Sequence, residues 1–198
     1  MADTGAHYAG TSADDGAVGT LTWADPSNAG GSGDSYATIT STVSAQSHYL
    51  KLTNFGFDAD VGAGDTIDGI EVTVERKANL ALTSRYVVDA VVRLVVGGTV
   101  SGDDKAATGT KWPLVEASAS YGGNSDKWGL TPSAADVRGT DFGVALSASI
   151  ATALGTEVVG YVDGVTVKVY YTAAGGQPRV ARGYCVPGMR TWQPGRMP

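Results

Sequence analysis

The residues that could do chemistry are few and far apart. The chain has two histidines, His7 and His48, and a single cysteine, Cys185. Acid–base or nucleophilic catalysis needs a positioned nucleophile beside a base of suitable pKa. No Gly-x-Ser-x-Gly elbow, His-Glu-x-x-His pair or phosphate-binding loop occurs. One cysteine and two scattered histidines do not make a zinc set, and a lone thiol excludes an intramolecular disulfide framework. Cys185 lies among Arg182, Arg190 and aromatic residues, yet as a single tail thiol it reads as inert. Carboxylates alone can build a glycosidase. The 20 present here fall mainly in turns or on alternating strand positions, where a soluble sheet puts them anyway. The expectation is a non-enzymatic chain with no catalytic residues and no cofactor.

Two clusters remain. Asp58, Asp60, Asp65 and Asp68 surround a Gly-rich turn and could wrap a hard cation such as calcium, although the EF-hand spacing and its terminal Glu are missing. Asp as a turn former is the preferred reading. Trp112 and Trp128 flank Tyr121-Gly-Gly-Asn-Ser-Asp126. At loop tips these three aromatics could stack on sugar rings or anchor a partner; packing against the sandwich edge is the alternative.

The elements that must hold these residues read as strands. Ile70, Val72 and Val74 alternate with Glu71, Thr73 and Glu75, the pattern of a half-buried antiparallel strand. Val87 to Val96 follows the same logic, with Asp89 and Arg93 expected on one face and Ala90, Val92 and Leu94 on the other. Further strands are expected at 21–23, 36–40, 48–57, 142–146 and 165–171, with Asp103-Asp104 at a hairpin tip. Only Thr131 to Val137 looks helical, with Thr131 as cap and Pro132 at the first helical position. Ile67-Asp-Gly-Ile-Glu-Val-Thr-Val74 echoes Val162-Asp-Gly-Val-Thr-Val-Lys-Val169. Each Asp-Gly could mark a tight turn or bulge where φ becomes positive, and a duplicated Greek-key half is the alternative. Short strands with Gly-rich turns and almost no helix predict an all-β, jelly-roll-like antiparallel β-sandwich over residues 21–173. An extended leader over 1–20 precedes it, and a C-terminal arm over 174–198 follows.

Charge separates the arm from the body. Residues 1–173 carry a net −10 and residues 174–198 a net +4. The arm holds Arg179, Arg182, Arg190 and Arg196 with Tyr184, Met189 and Trp192, residue types that anchor interfaces. It reads as an extended arm docking on a neighbouring subunit or an acidic surface. The acidic body opposes approach to phosphate, so no nucleic-acid partner is expected. No stretch approaches the ~20 apolar residues of a membrane span, and the N-terminus lacks the basic and apolar regions of a signal peptide.

The order Tyr36-Ala-Thr, Asn54-Phe-Gly-Phe57, Ile67-Asp-Gly-Ile-Glu-Val-Thr-Val-Glu-Arg-Lys77, Val92-Arg-Leu-Val95, Gly102-Asp-Asp-Lys105, Trp112-Pro, Tyr121-Gly-Gly, Trp128-Gly-Leu, Phe142-Gly-Val-Ala-Leu146 and Val162-Asp-Gly-Val-Thr-Val-Lys-Val-Tyr-Tyr171 resembles a family of small β-sandwich modules from tailed-phage structural gene clusters. The resemblance covers about residues 20–172. It implies a virion protein on the particle surface, made in the host cytoplasm: a capsid decoration or cement protein binding the major capsid protein or other virion subunits, as a homo-oligomer. A tail, neck or fibre component is the alternative, and a glycan-binding adhesion module using Trp112, Tyr121 or Trp128 is another. The resemblance supplies no catalytic residues.

Overall fold

In a computed structural model, residues 1–153 and 155–175 are described. The strands are β1 (Ala2–Asp3), β2 (His7–Tyr8), β3 (Thr11–Asp15), β4 (Ala37–Ser41), β5 (Ala45–Gln46) and β6 (Tyr49–Thr53), then β7 (Thr66–Ala78), β8 (Tyr86–Val96), β9 (Thr99–Ser101), β10 (Ala117–Gly123), β11 (Gly143–Ala151) and β12 (Val158–Thr172). They form two antiparallel sheets, so the all-β, jelly-roll-like sandwich read from the sequence is the fold of the described residues.

The first sheet is organised around β12. One edge of β12 pairs with β7, which pairs with β10; the other edge takes β4, β2 and β1 in succession. The second sheet runs β3-β6-β11-β8-β9, with β5 also on β11. Between them lies one core. Ile70, Val72 and Val74 of β7 and Val165, Val167 and Val169 of β12 supply it from one side, and Leu50, Leu52, Val92, Leu94, Val144 and Leu146 from the other. These are the alternate positions whose side chains a strand sends to one face.

Several expectations change. Residues 1–20, read as a leader ahead of the sandwich, contribute β1 and β2 to the first sheet and β3 to the second. The segment at 21–23 is not a strand. Trp23 is buried there, its indole N–H donating to the His48 carbonyl at 3.0 Å. The strand expected to reach Phe57 stops at Thr53, because Asn54 turns to a φ of 62°. The helix α1 (Ala134–Arg138) is capped by Ser133 and not by Thr131: Ser133 and Asp136 form a reciprocal capping box. The β8–β9 hairpin turns at Gly97-Gly98, both at positive φ, so Asp103-Asp104 is not its tip. Asp104 instead accepts from the Val92 and Ala106 amides at 2.9 and 3.0 Å.

The β8 faces also differ from the simple alternation. Ser147 pairs with Val91 and Ala148 with Asp89, leaving Ala90 as the extra residue of a bulge. That residue shifts the phase, so Val87 and Asp89 face the core together with Val92 and Leu94. Asp89 therefore lies inside the sandwich, not on the wet face with Arg93.

The echo of 67–74 in 162–169 has a physical origin in the β7–β12 pair. The two segments lie antiparallel to each other, Ile70 opposite Val169 and Val74 opposite Val165. Asp68 and Asp163 are each the unmatched residue of a bulge, one near either end of the pairing. Neither following glycine has positive φ. A Cβ on Gly69 would lie 2.3 Å from the Gly123 carbonyl oxygen, and one on Gly164 2.8 Å from that of Gly31. Close backbone approach, not a left-handed turn, is what these glycines permit.

Candidate functional site

The three aromatics expected at loop tips lie in the interior. Trp112 and Trp128 are fully buried and Tyr121 nearly so, which corrects their assignment as glycan or partner contacts. The Trp128 indole donates to the Ile70 carbonyl at 3.0 Å. Trp112 and Tyr121 belong to a buried polar cluster that alternation along the sequence did not reveal, because the bulge at Ala90 puts its centre, Asp89, inside.

Arg76 of β7 reaches from the first sheet to Asp89 of β8 in the second, its Nη1 bonded to Asp89 Oδ1. The Trp112 indole donates to the same oxygen at 2.8 Å. Asp89 Oδ2 accepts from the Tyr121 hydroxyl at 2.7 Å and from the Ala107 amide at 3.0 Å. These four donors match the roughly four lone-pair sites of a carboxylate. Arg76 Nη1 also donates to Tyr121 Oη at 2.5 Å, and its guanidinium lies over the Trp112 ring at 5.1 Å. Burial, and then the Asp89 charge, push the Tyr121 phenol well above its ordinary value. The cluster binds the two sheets together and holds Trp112 in place.

The carboxylates proposed for calcium do not converge. Asp65 accepts from the Gly62 and Ala174 amides at 2.6 and 2.9 Å, and Asp68 from the Thr172 hydroxyl at 2.7 Å. Asp60 lies 3.2 Å from His7 Nε2, and Asp58 is exposed. No group of three or more potential ligands is assembled among the described residues. This corrects the calcium set: the acids pin the backbone and neighbouring side chains instead.

Both histidines serve as ties for the N-terminal segment. His7 Nδ1 lies 2.9 Å from the Phe55 carbonyl oxygen, and its ring packs on Phe57 at 4.9 Å. His48 Nδ1 lies 2.8 Å from Asp14 Oδ2, and Asp14 Oδ1 accepts the Trp23 amide at 2.8 Å. His48 is half-buried. Cys185 and the arm residues Arg179, Arg182, Tyr184, Met189, Arg190, Trp192 and Arg196 lie outside the described residues.

What the surface does offer is an apolar end. Val43, Leu82, Leu114 and Val115 are 64%, 53%, 59% and 79% exposed, and among the described residues only Met1 and Tyr8 are other large hydrophobics so displayed. All four sit in turns at one end of the sandwich. Val43 follows β4, whose last residue pairs with Val158 at the start of β12, and Leu82 lies between β7 and β8. Leu114-Val115 follows Trp112-Pro113, which is tied to both sheets: Trp112 N donates to the Val87 carbonyl at 2.8 Å, and the Ala78 amide donates to the Pro113 carbonyl at 2.8 Å. Lys111 Nζ donates to the Leu82 carbonyl at 2.6 Å and joins two of these turns. The buried cluster therefore fixes the loop that presents Leu114 and Val115. No periodicity marks these residues in the sequence, since Val43, Leu82 and the Leu114-Val115 pair lie in three turns outside the alternating strands.

No protein-family model matches the chain, and no curated protein matches it. Among solved structures, one described as "CBM4 structure and function" is similar at 11% identity and a TM-score of 0.37, over 67% of this chain and 82% of that one. Another, "Structure of Arabinose-Bound MgGH51 a-L-Arabinofuranosidase Crystal Type 1", is similar at 7% identity and a TM-score of 0.36. It matches 87% of this chain, which spans 26% of that longer protein.

Proposed function

We propose that this protein is a non-enzymatic structural module of a tailed-phage virion, a decoration or cement protein that docks on the major capsid protein through the apolar end of its sandwich. The observation that carries the docking reading is the display of Val43, Leu82, Leu114 and Val115 at one end. The loop bearing two of them is anchored by the buried Arg76–Asp89–Trp112 cluster. Rigid presentation matters because ordering a loop on binding costs about 0.5–1.5 kcal/mol per immobilised side chain, which a pre-set loop avoids. The order of short motifs from Tyr36 to Tyr171 supports the virion context. A place in the tail, neck or fibre would use the same end against a different subunit. The basic, aromatic arm is a second contact in this reading, and homo-oligomerisation on the particle is part of the proposal.

The test is co-sedimentation with purified particles. Leu114→Ser with Val115→Ser should weaken retention at least about tenfold, since burying each such side chain contributes roughly 1.5–3 kcal/mol. Both residues are exposed, so the thermal midpoint should hold. Retention equal to the parent protein's would remove the apolar end from the function.

A further inference from the structure

The outer face of the first sheet carries a groove of about 190 Å³, lined by Tyr8, Thr73, Glu75, Ser118, Gly164 and Thr166. Strand register puts these residues there. Thr73 and Glu75 alternate with buried Val72 and Val74, and Thr166 sits between buried Val165 and Val167, so all three point away from the core. Tyr8, Thr166 and Thr73 form one row across β2, β12 and β7, and Gly164, Glu75 and Ser118 form the next across β12, β7 and β10. Gly164 leaves the floor bare between two of the walls. A Cβ there would lie 3.1 Å from Tyr8 Cε1 and 3.5 Å from Glu75 Oε2.

Glu75 is the unusual member. On β7 and β12, Asp68 bonds Thr172, Glu71 bonds Tyr170, Arg76 bonds Asp89 and Lys77 bonds Tyr36, while Lys168 pairs with Glu71 and Asp163 accepts from the Gly33 amide. Of the charged side chains on these two strands, only the half-buried Glu75 has no partner among the described residues. The Tyr8 hydroxyl has none there either, and Tyr8 is 41% exposed. The lining thus offers an unpartnered carboxylate, an aromatic wall and three hydroxyl side chains, with no cation. That set suits a neutral polyol: a carboxylate accepts from two adjacent hydroxyls, and an aromatic ring packs on the C–H face of a sugar. The volume lies below the roughly 300–1,000 Å³ of clefts that enclose drug-sized ligands, which limits it to a single ring. We propose that this groove binds one neutral pyranose unit of a glycan, with Glu75 accepting from two vicinal hydroxyls and Tyr8 covering a face of the ring. Hydrolysis of a glycosidic bond takes a second carboxylate, which is missing from the lining, so the step is binding alone. The site goes beyond capsid docking and uses a different face of the sandwich, so either reading can fail without the other.

The test is a titration of the full-length, ¹⁵N-labelled protein followed by its amide signals. The probes are the methyl glycosides of glucose, galactose, mannose and N-acetylglucosamine, each taken to about 10 mM, ten times a millimolar Kd. At least one should shift the signals of Tyr8, Thr73, Glu75, Gly164 and Thr166 saturably. Tyr8→Ala and Glu75→Gln should each weaken that binding about tenfold or more, the second without changing the size of the side chain. Absence of saturable shifts at these residues with all four sugars overturns the proposal, as does undiminished binding by Glu75→Gln. A tighter response of the same amides to methylammonium chloride overturns it too, because the unpartnered carboxylate would then serve an ammonium ligand.

Discussion

At the scale of single residues, Asp89 bears the heaviest structural duty. Its carboxylate is buried against Arg76, Trp112, Tyr121 and the Ala107 amide, so removing it strands a guanidinium, an indole N–H and a hydroxyl in the core. Breaking a buried pair by deleting one partner typically costs about 3–5 kcal/mol, whereas replacing both by apolar residues is often neutral. Asp89→Ala should lower stability by about that amount in urea unfolding. Arg76→Met with Asp89→Leu should recover much of the loss. Tyr121 adds a pH signature. Its folded phenol is held above the ordinary value of 10.0, so above about pH 10 the unfolded chain releases a proton that the native protein keeps. The Tyr121 contribution is therefore complete below that pH and is lost as pH rises through the alkaline range. Urea midpoints measured from pH 9 to 11 should fall more steeply for the parent protein than for Tyr121→Phe.

At the scale of elements, the sequence displayed what alternates and concealed what breaks the alternation. The faces of β7 and β12 were legible because Val, Ile and Thr repeat with period two over unbroken runs. The inward turn of Asp89 was not, since a one-residue bulge at Ala90 leaves no compositional mark and reverses every face beyond it. The Asp-Gly pairs were recognisable as special positions, but their reason was not. Gly69 and Gly164 allow neighbouring backbone to approach, and that neighbour is supplied by β10 and by the loop around Gly31, distant in sequence. The two sites should respond unequally to a methyl group. At Gly69 it would strike the Gly123–Asn124 backbone at 2.3–2.6 Å, and at Gly164 the Gly31 oxygen at 2.8 Å. Gly69→Ala should therefore lower the thermal midpoint more than Gly164→Ala, and equal losses would contradict the close-approach explanation. The N-terminal strands were hidden for another reason: Ala2–Asp3, His7–Tyr8 and Thr11–Asp15 are too short and polar to show a period, and pairing alone makes them strands.

At the scale of the whole molecule, the two ends of the sandwich differ in chemistry. One displays Val43, Leu82, Leu114 and Val115; at the other, Asp65 and Asp68 bond Ala174 and Thr172 where β12 ends. The charge division was plain in the sequence, because it needs only counting. The apolar end was not, because Val43, Leu82 and the Leu114-Val115 pair lie in three turns that share one end only once the strands are paired. The conspicuous aromatics drew attention to Trp112 and Trp128, whose service is internal: Trp112 fixes the loop that Leu114 and Val115 cap. Large exposed apolar groups collected at one end of a rigid frame are the usual mark of a contact surface. Electron cryomicroscopy of particles purified from the lysate in which the chain is made tests that assignment most directly. The expected result is density for the sandwich on the particle with the Leu114–Val115 end seated against a neighbouring virion subunit; particles lacking the protein, or holding it with that end in solvent, would contradict it.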